Sequence, residues 1–240
     1  MKKSLPSLLI AGFVISAFVM AASGQISKKV VGNEPAPSTN FAAANVHFEQ
    51  NATDGDVEVV FEVKGGDEGL ARLTVVSPDG RTVIDFEAPD ASTLGMRQFI
   101  FESPEPRDVQ SLKSAYPEGR YIFTGVTASG HKLHGESVLS HKLPDTPTFL
   151  HPPANAQGVS TKNLEITSTP VKNLAAYIVY IEQDAQNVSI TARLSGPIAS
   201  FVVPDGFLFS GTEYQLGIGT VGDNGNISFI ETTFTTAEKE

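Results

Sequence analysis

The chain contains no cysteine and no tryptophan, and only 3 of its 240 residues are methionine. Without cysteine there are no disulfide staples, no thiolate nucleophile and no cysteine-rich zinc site. Any fold must be held by core packing alone. Without tryptophan, stacking on sugars falls to tyrosine and phenylalanine. Basic residues are scarce as well: 17 Lys and Arg stand against 27 Asp and Glu, a formal net charge of −10. Binding nucleic acid or anionic lipid needs clustered Lys and Arg, so the composition argues against both partners. Phosphate loops, dinucleotide fingerprints and the Gly-x-Ser-x-Gly elbow of serine hydrolases are missing too. Gly135-Glu136-Ser137 is the nearest approach to that elbow and lacks its second half.

Long apolar runs are confined to one place. Lys2 and Lys3 precede an apolar stretch from Leu5 to Met20, and Ala21, Ala22, Ser23 and Gly24 follow. Positive flank, apolar centre and small residues together make a secretory signal. A retained anchor is the competing reading. The run falls short of the roughly 20 apolar residues a spanning helix needs, and small residues stand where a Lys or Arg stop signal belongs. Residues 1–24 are therefore expected to be a signal peptide, which makes the product secreted or periplasmic with no membrane span in the mature chain. Removing Lys2 and Lys3 leaves a still more acidic protein. Three Asn-x-Ser/Thr triplets, at Asn51, Asn187 and Asn226, matter only in a host that glycosylates.

What remains reads as all-β. Residues 25–40 hold Pro35 and Pro37 without periodicity and are expected to be a flexible lead-in. Beyond them Val57, Val59, Phe61 and Val63 alternate with Glu58, Val60, Glu62 and Lys64, the period of two of a half-buried strand. Leu70 to Val76 and Arg81 to Phe86 flank Ser77-Pro78-Asp79-Gly80, a hairpin with a tight turn. Gln98 to Phe101 suggests a short strand. Val109, Leu112 and Tyr116, spaced three and four apart, suggest a helical crossover. Tyr121, Phe123 and Val126 are expected to point inward, with Leu133 to Leu139 returning beside them. Four prolines between Pro144 and Pro153 break the pattern, because proline within a sheet forfeits ladder hydrogen bonds. Residues 41–143 are then expected to form an immunoglobulin-like β-sandwich and 144–153 a Pro-rich linker, whose Thr148–Leu150 either end it or begin the next domain. Residues 154–236 are expected to form a second sandwich.

In that second half Leu164, Ile166 and Ser168 alternate, and strands follow at Tyr177 to Ile181, Val188 to Leu194 and Ser200 to Val203. The chain then reads Leu208-Phe209-Ser210-Gly211-Thr212-Glu213-Tyr214-Gln215-Leu216. This resembles the L-x-P-G-T-x-Y-x-V motif before the last strands of a fibronectin type III domain. The resemblance implies a tyrosine corner, in which the Tyr214 hydroxyl bonds to backbone near Leu208. Ser210 stands where the family has proline, and Ser168 where it has a core tryptophan, so Tyr177, Phe201 or Phe207 is expected to fill that volume. Gly119-Arg120-Tyr121-Ile122-Phe123 likewise resembles a strand of bacterial immunoglobulin-like repeats. The whole is expected to be two immunoglobulin-like or fibronectin type III-like β-sandwiches in tandem after a signal peptide.

Chemistry is sparse. His131, His134, Glu136 and His141, with His151 further on, are the nearest thing to a metal set. If the segment is a strand, His134 and Glu136 share a face and His131 does not. Solvent-facing polar positions on an edge hairpin are the preferred explanation for them. The acidic loops Asp54-Gly55-Asp56, Asp67-Glu68, Asp205 and Gly222 to Asn226 lack the spacing of a calcium loop, and the last also reads as a hairpin turn. Phe207-Leu208-Phe209 is unusually apolar for a loop. With Asp223 and Asn224 it forms the candidate contact patch. The function expected is a non-enzymatic exported binding or structural protein with no cofactor, meeting a protein or surface-polysaccharide partner. The alternative is a metal-binding protein or metal-dependent enzyme built on the His131–His141 region.

Overall fold

The computed structural model describes residues 39–238 apart from 89–94, 105, 107 and 197. The proposed signal peptide and all but the last two residues of the lead-in lie outside the described residues. Those two, Thr39–Asn40, form β1, paired parallel with the Leu133–His134 stretch. Next come β2 (Ala43–Asn51), β3 (Asp56–Lys64), β4 (Leu70–Val76), β5 (Thr82–Glu87) and β6 (Gln98–Glu102). A short helix α1 (Val109–Ala115) precedes β7 (Gly119–Thr127) and β8 (Lys132–Leu139). Asp108 caps α1, its carboxylate accepting from the Ser111 N–H at 2.7 Å, and Leu112 is its buried residue.

The second half contributes β9 (Phe149–His151), β10 (Ala156–Val159), β11 (Glu165–Ser168) and β12 (Leu174–Gln183). After these come β13 (Val188–Ser195), β14 (Ser200–Val202), β15 (Glu213–Gly222) and β16 (Ile227–Thr236). Among the described residues no helix is long and apolar enough to cross a membrane.

Period-two alternation builds two cores. Val59, Phe61, Val63, Leu73, Tyr121 and Phe123 belong to one cluster, between a five-stranded sheet ordered β1-β8-β7-β4-β5 and the β2-β3-β6 strands. Ile166, Tyr177, Ile181, Tyr214, Leu216 and Phe234 belong to the other, between a three-stranded sheet β14-β11-β9 and the strands around β12 and β15. The chain is thus all-β, with the layered antiparallel architecture of immunoglobulin-like and fibronectin type III-like sandwiches. Of the three aromatics expected to fill the volume of the missing tryptophan, Tyr177 is buried in the second core, while Phe201 and Phe207 are only half-buried.

One expected inward residue is corrected. Period two from Tyr121 and Phe123 reaches Gly125, not Val126, and the ring of Phe41 lies over that glycine, only 2.8 Å from where a Cβ would stand. Val126 lies on the opposite face.

A further feature had no local signal. The two cores share one sheet of eight strands, seven of them ordered β13-β12-β15-β16-β2-β3-β6 and the eighth, β10, paired parallel with β16 off that path. The join is a parallel pairing of β16 with β2, Ile227 opposite Glu49 and Phe229 opposite Asn51. Main chain extends it where the Ala52 N–H donates to the Phe229 carbonyl at 2.8 Å.

Candidate functional site

Three places gather the residues that carry chemistry: the loop before β15, the turn after it, and the histidine-bearing hairpin.

Pro204-Asp205-Gly206 turns the chain into Phe207, whose N–H donates to the Pro204 carbonyl at 3.2 Å. Asp205 is occupied locally, accepting from the Asn163 N–H at 2.9 Å. The Phe207 ring centre lies 6.1 Å from that of Tyr214 and packs against the second core, with Leu208 buried beside it. Phe209 behaves differently. Its N–H donates to the Tyr214 hydroxyl at 2.8 Å and its carbonyl accepts from the Thr236 hydroxyl at 2.6 Å, yet its side chain is 46% exposed. The tyrosine corner is therefore present, and it pins the backbone of an aromatic ring that faces solvent. Tyr214→Phe should cost about 1 kcal/mol, the usual worth of one such bond, read as a lowered midpoint in urea with an unchanged slope.

The first half has a corresponding corner that sequence reading missed. The Tyr121 hydroxyl donates to the Pro117 carbonyl at 3.1 Å, four residues upstream. Its signal was available in the Gly-x-Tyr-x-Phe strand, since Tyr121 lies near the start of β7 as Tyr214 lies near the start of β15.

At the far end of β15 the turn from Gly222 to Asn226 is a hairpin. The Gly222 N–H donates to the Asn226 carbonyl at 2.9 Å and Gly225 adopts a φ of +84°. Asn226 is 0% exposed. Its side-chain Oδ1 accepts from the Phe48 N–H of β2 at 2.9 Å, and its side-chain amide donates to the carbonyls of Ser140 at 2.6 Å and Lys142 at 2.9 Å. Asn224 donates to the Lys142 carbonyl at 2.8 Å, Ser228 to that of Pro144 and Thr220 to that of Asp145, both at 2.8 Å. The Pro-rich stretch expected to be a linker is thus held along its carbonyls by the β15–β16 hairpin. Proline removes a donor but leaves an acceptor, and side-chain amides and hydroxyls supply the donors.

The expected contact patch is divided accordingly. Phe207 and Phe209 sit at the start of β15, Asp223 and Asn224 beyond its end. A ten-residue strand at roughly 3.3 Å per residue keeps the two pairs about 30 Å apart. Asn224, moreover, has its amide committed to the junction.

The histidines do not converge. His131 lies in the turn before β8, 2.9 Å from the Glu68 carboxylate. Hydrogen bonds from Ser129 and Thr127, then from His131, pull the Glu68 carboxyl down to about 2. His134 and Glu136 share a face, 3.6 Å apart, but Arg120 takes Glu136 at 3.1 Å. His141 donates from Nε2 to the Tyr116 carbonyl at 2.8 Å, with its ring centre 5.4 Å from that of Phe48. His151 is exposed on β9. Among the described residues no group of three or more His, Asp or Glu could hold a metal ion. The metal reading of the His131–His141 region is corrected on this geometry: each ring has a separate partner or none.

Of the glycosylation triplets, Asn51 and Asn226 are buried and only Asn187 is exposed. The densest charge lies on the outer face of the shared sheet. Glu49 stands directly opposite Glu58 across β2 and β3, with Glu102 diagonal to Glu58 on β6. Burial first, then Glu49, Glu102 and Asp56, push the Glu58 carboxyl up to about 8. Burial and Glu49 raise Glu102 as well, while His47 opposes. Glu231 on β16, bonded by the Asn51 amide at 2.8 Å and by the Tyr180 hydroxyl, is raised chiefly by burial.

No family model matches the chain, and no curated protein matches it. Among solved structures it is similar to the fibronectin(III)-like modules of CbhA from Clostridium thermocellum, at 10% identity over 83% of this chain and 94% of that one, with a TM-score of 0.35. It is similar also to a two-domain fibronectin type III segment of chicken tenascin, at 15% identity over 82% and 99% of the two chains, TM-score 0.32. The FN1–FN3 domains of chicken CNTN1 share 14% identity over 85% and 67%, TM-score 0.31. The sandwich class of this chain rests on its own strand order and cores.

Proposed function

We propose that the chain is an exported, non-enzymatic binding or structural protein of the cell envelope or exterior. In this reading its two sandwiches, 41–143 and 154–236, act as one rigid body whose end loop around Phe209 meets a protein partner. The observation that carries the reading is the way Phe209 is held. Its N–H and its carbonyl are both bonded, so an exposed aromatic ring is presented with its backbone already ordered. An ordered aromatic loses little entropy on binding, which is why such side chains make good anchors. The shared sheet supports the same reading, since it fixes the loop relative to the first sandwich. The acidic composition favours a partner surface that is neutral or basic.

The test uses the protein purified after export, immobilised and exposed to solubilised envelope and to culture medium. Wild type is expected to retain a partner that Phe209→Ser releases at least about tenfold faster, a loss typical of a central aromatic contact. Equal retention by both forms would remove Phe209 from the interface. A surface polysaccharide as partner would show instead as retention that survives protease treatment of the extract.

A further inference from the structure

We propose that β13 is a dimerisation edge, along which a second copy of this chain pairs antiparallel with Thr191 opposite Thr191 of the second copy. Exposed sheet edges present unpaired N–H and C=O groups, and proteins blunt them with charge, proline or short length. The other edges here are blunted. β1, β9 and β14 have three residues or fewer, β10 has four, β5 carries Asp85 and Glu87, and β6 ends on Glu102. β13 runs for eight residues, Val-Ser-Ile-Thr-Ala-Arg-Leu-Ser, without proline and with one charge, Arg193. Half-buried Val188, Ile190, Ala192 and Leu194 alternate with exposed Ser189, Thr191, Arg193 and Ser195, so its apolar face is covered by β12 on one side only.

Register follows from face matching and charge. A two-fold pairing keeps apolar faces together only when it is centred on a residue, because a one-residue slip turns every side chain over. Centring on Arg193 would set two guanidinium groups against each other. Centring on Ala192 would place Arg193 opposite Thr191, whose neighbour on β12 is Tyr180. Centring on Thr191 places Arg193 opposite Ser189, whose neighbour on β12 is Glu182.

That last arrangement aligns Glu182, the small Ser189 and Arg193 of the second copy in one row across three strands. Over strand spacings of about 4.8 Å, the long Arg and Glu side chains can meet above the serine. Both groups want such a partner. Glu182 lies beside Asp184, and its carboxyl is raised by burial and by that neighbour, while Arg193 takes part in none of the salt bridges among the described residues. Ile190 meets Ala192 and Val188 meets Leu194 on the other face. The outcome is a closed, isologous pair with one sheet running through both copies.

Because the chain has no cysteine, a single introduced one reports the register. Thr191→Cys in the protein purified after export is expected to form an interchain disulfide on mild oxidation. Ser189→Cys is expected not to, its two copies lying about four residues apart along the strands and beyond disulfide reach. By sedimentation, wild type is expected to dimerise in the micromolar range. Arg193→Glu alone or Glu182→Lys alone should weaken the dimer about tenfold or more, and the two together should restore it, which loss of fold would not do. A wild type monomeric at 100 micromolar (roughly the top of the range for a specific weak dimer) overturns the proposal, as do equal cross-linking by both cysteines or a double reversal no better than the singles.

Discussion

Replacing Asn226 by alanine should lower stability by about 3–5 kcal/mol and loosen the two sandwiches from each other. Asn226 is fully buried and makes three bonds that cross the junction, to the Phe48 N–H and to the Ser140 and Lys142 carbonyls. Alanine fills none of these, and each buried group left unsatisfied costs about 1–3 kcal/mol. For a chain of this size the loss should appear as a drop of about 10 °C in Tm. Small-angle scattering should also show a larger maximum dimension, as the Ser140 and Lys142 carbonyls come free of the hairpin. Asn226→Asp separates the donor from the acceptor. The carboxylate can still accept from Phe48, but its second oxygen faces two carbonyls. Its defect should therefore be greater at pH 7 than at pH 4, where a protonated acid donates to one of them. Melting of the alanine variant within about 1 °C of wild type would show that solvent replaces all three bonds without loss.

The same residue illustrates what could be read from the chain and what could not. Alternation in β3, β4 and β7 encodes which side chains face inward, because burial of one sheet face imposes a period of two wherever it occurs. The helix at Val109–Ala115 and the corner at Tyr214 were legible for a related reason, since a cap or a corner is settled within a few residues. Val126 was misplaced only because the alternation reaches a glycine there, and a glycine gives no apolar signal. Pairing of β16 with β2 joins residues 178 positions apart, as between Asn226 and Phe48, and nothing local distinguishes a strand edge that meets another strand from one that meets water. Asn226 looked like a hairpin residue and is one; its amide serves acceptors more than 80 positions away, the carbonyls of Ser140 and Lys142 just before the proline-rich stretch. The candidate patch failed to come together for the complementary reason. Phe209 and Asp223 are close in sequence, but ten of the residues between them are the extended strand β15, which sets them at its opposite ends.

Glu58→Gln should stabilise the protein at neutral and alkaline pH and do nothing in acid. Glu58 lies half-buried on the outer face of the shared sheet, opposite Glu49 and near Glu102 and Asp56. His47, 3.3 Å from Glu49, is the nearest base on that face, and Lys64 is drawn to Glu62 at 2.8 Å. Like charges placed directly across two strands repel, and burial removes the water that would screen them. The Glu58 carboxyl is thereby raised from 4.5 to about 8 in the folded chain. A group raised on folding contributes stability that is complete below its unfolded value and is lost as pH climbs through its folded value. Wild type should accordingly lose stability between about pH 4.5 and pH 8, in a window where the glutamine variant, which has no proton to release, stays level. After discounting for partial exposure and salt, the advantage of the variant should reach about 2 kcal/mol at pH 9 and vanish near pH 4. Parallel urea titrations of the two proteins across that range measure it. A constant offset between them at every pH would assign the effect to packing of the amide, and a wild type more stable at pH 9 would mean that some cation compensates the carboxylates of this face. Because Glu49 stands between Glu58 on β3 and Ile227 on β16, relief of this repulsion should also raise hydrogen-exchange protection along the join between the two sandwiches.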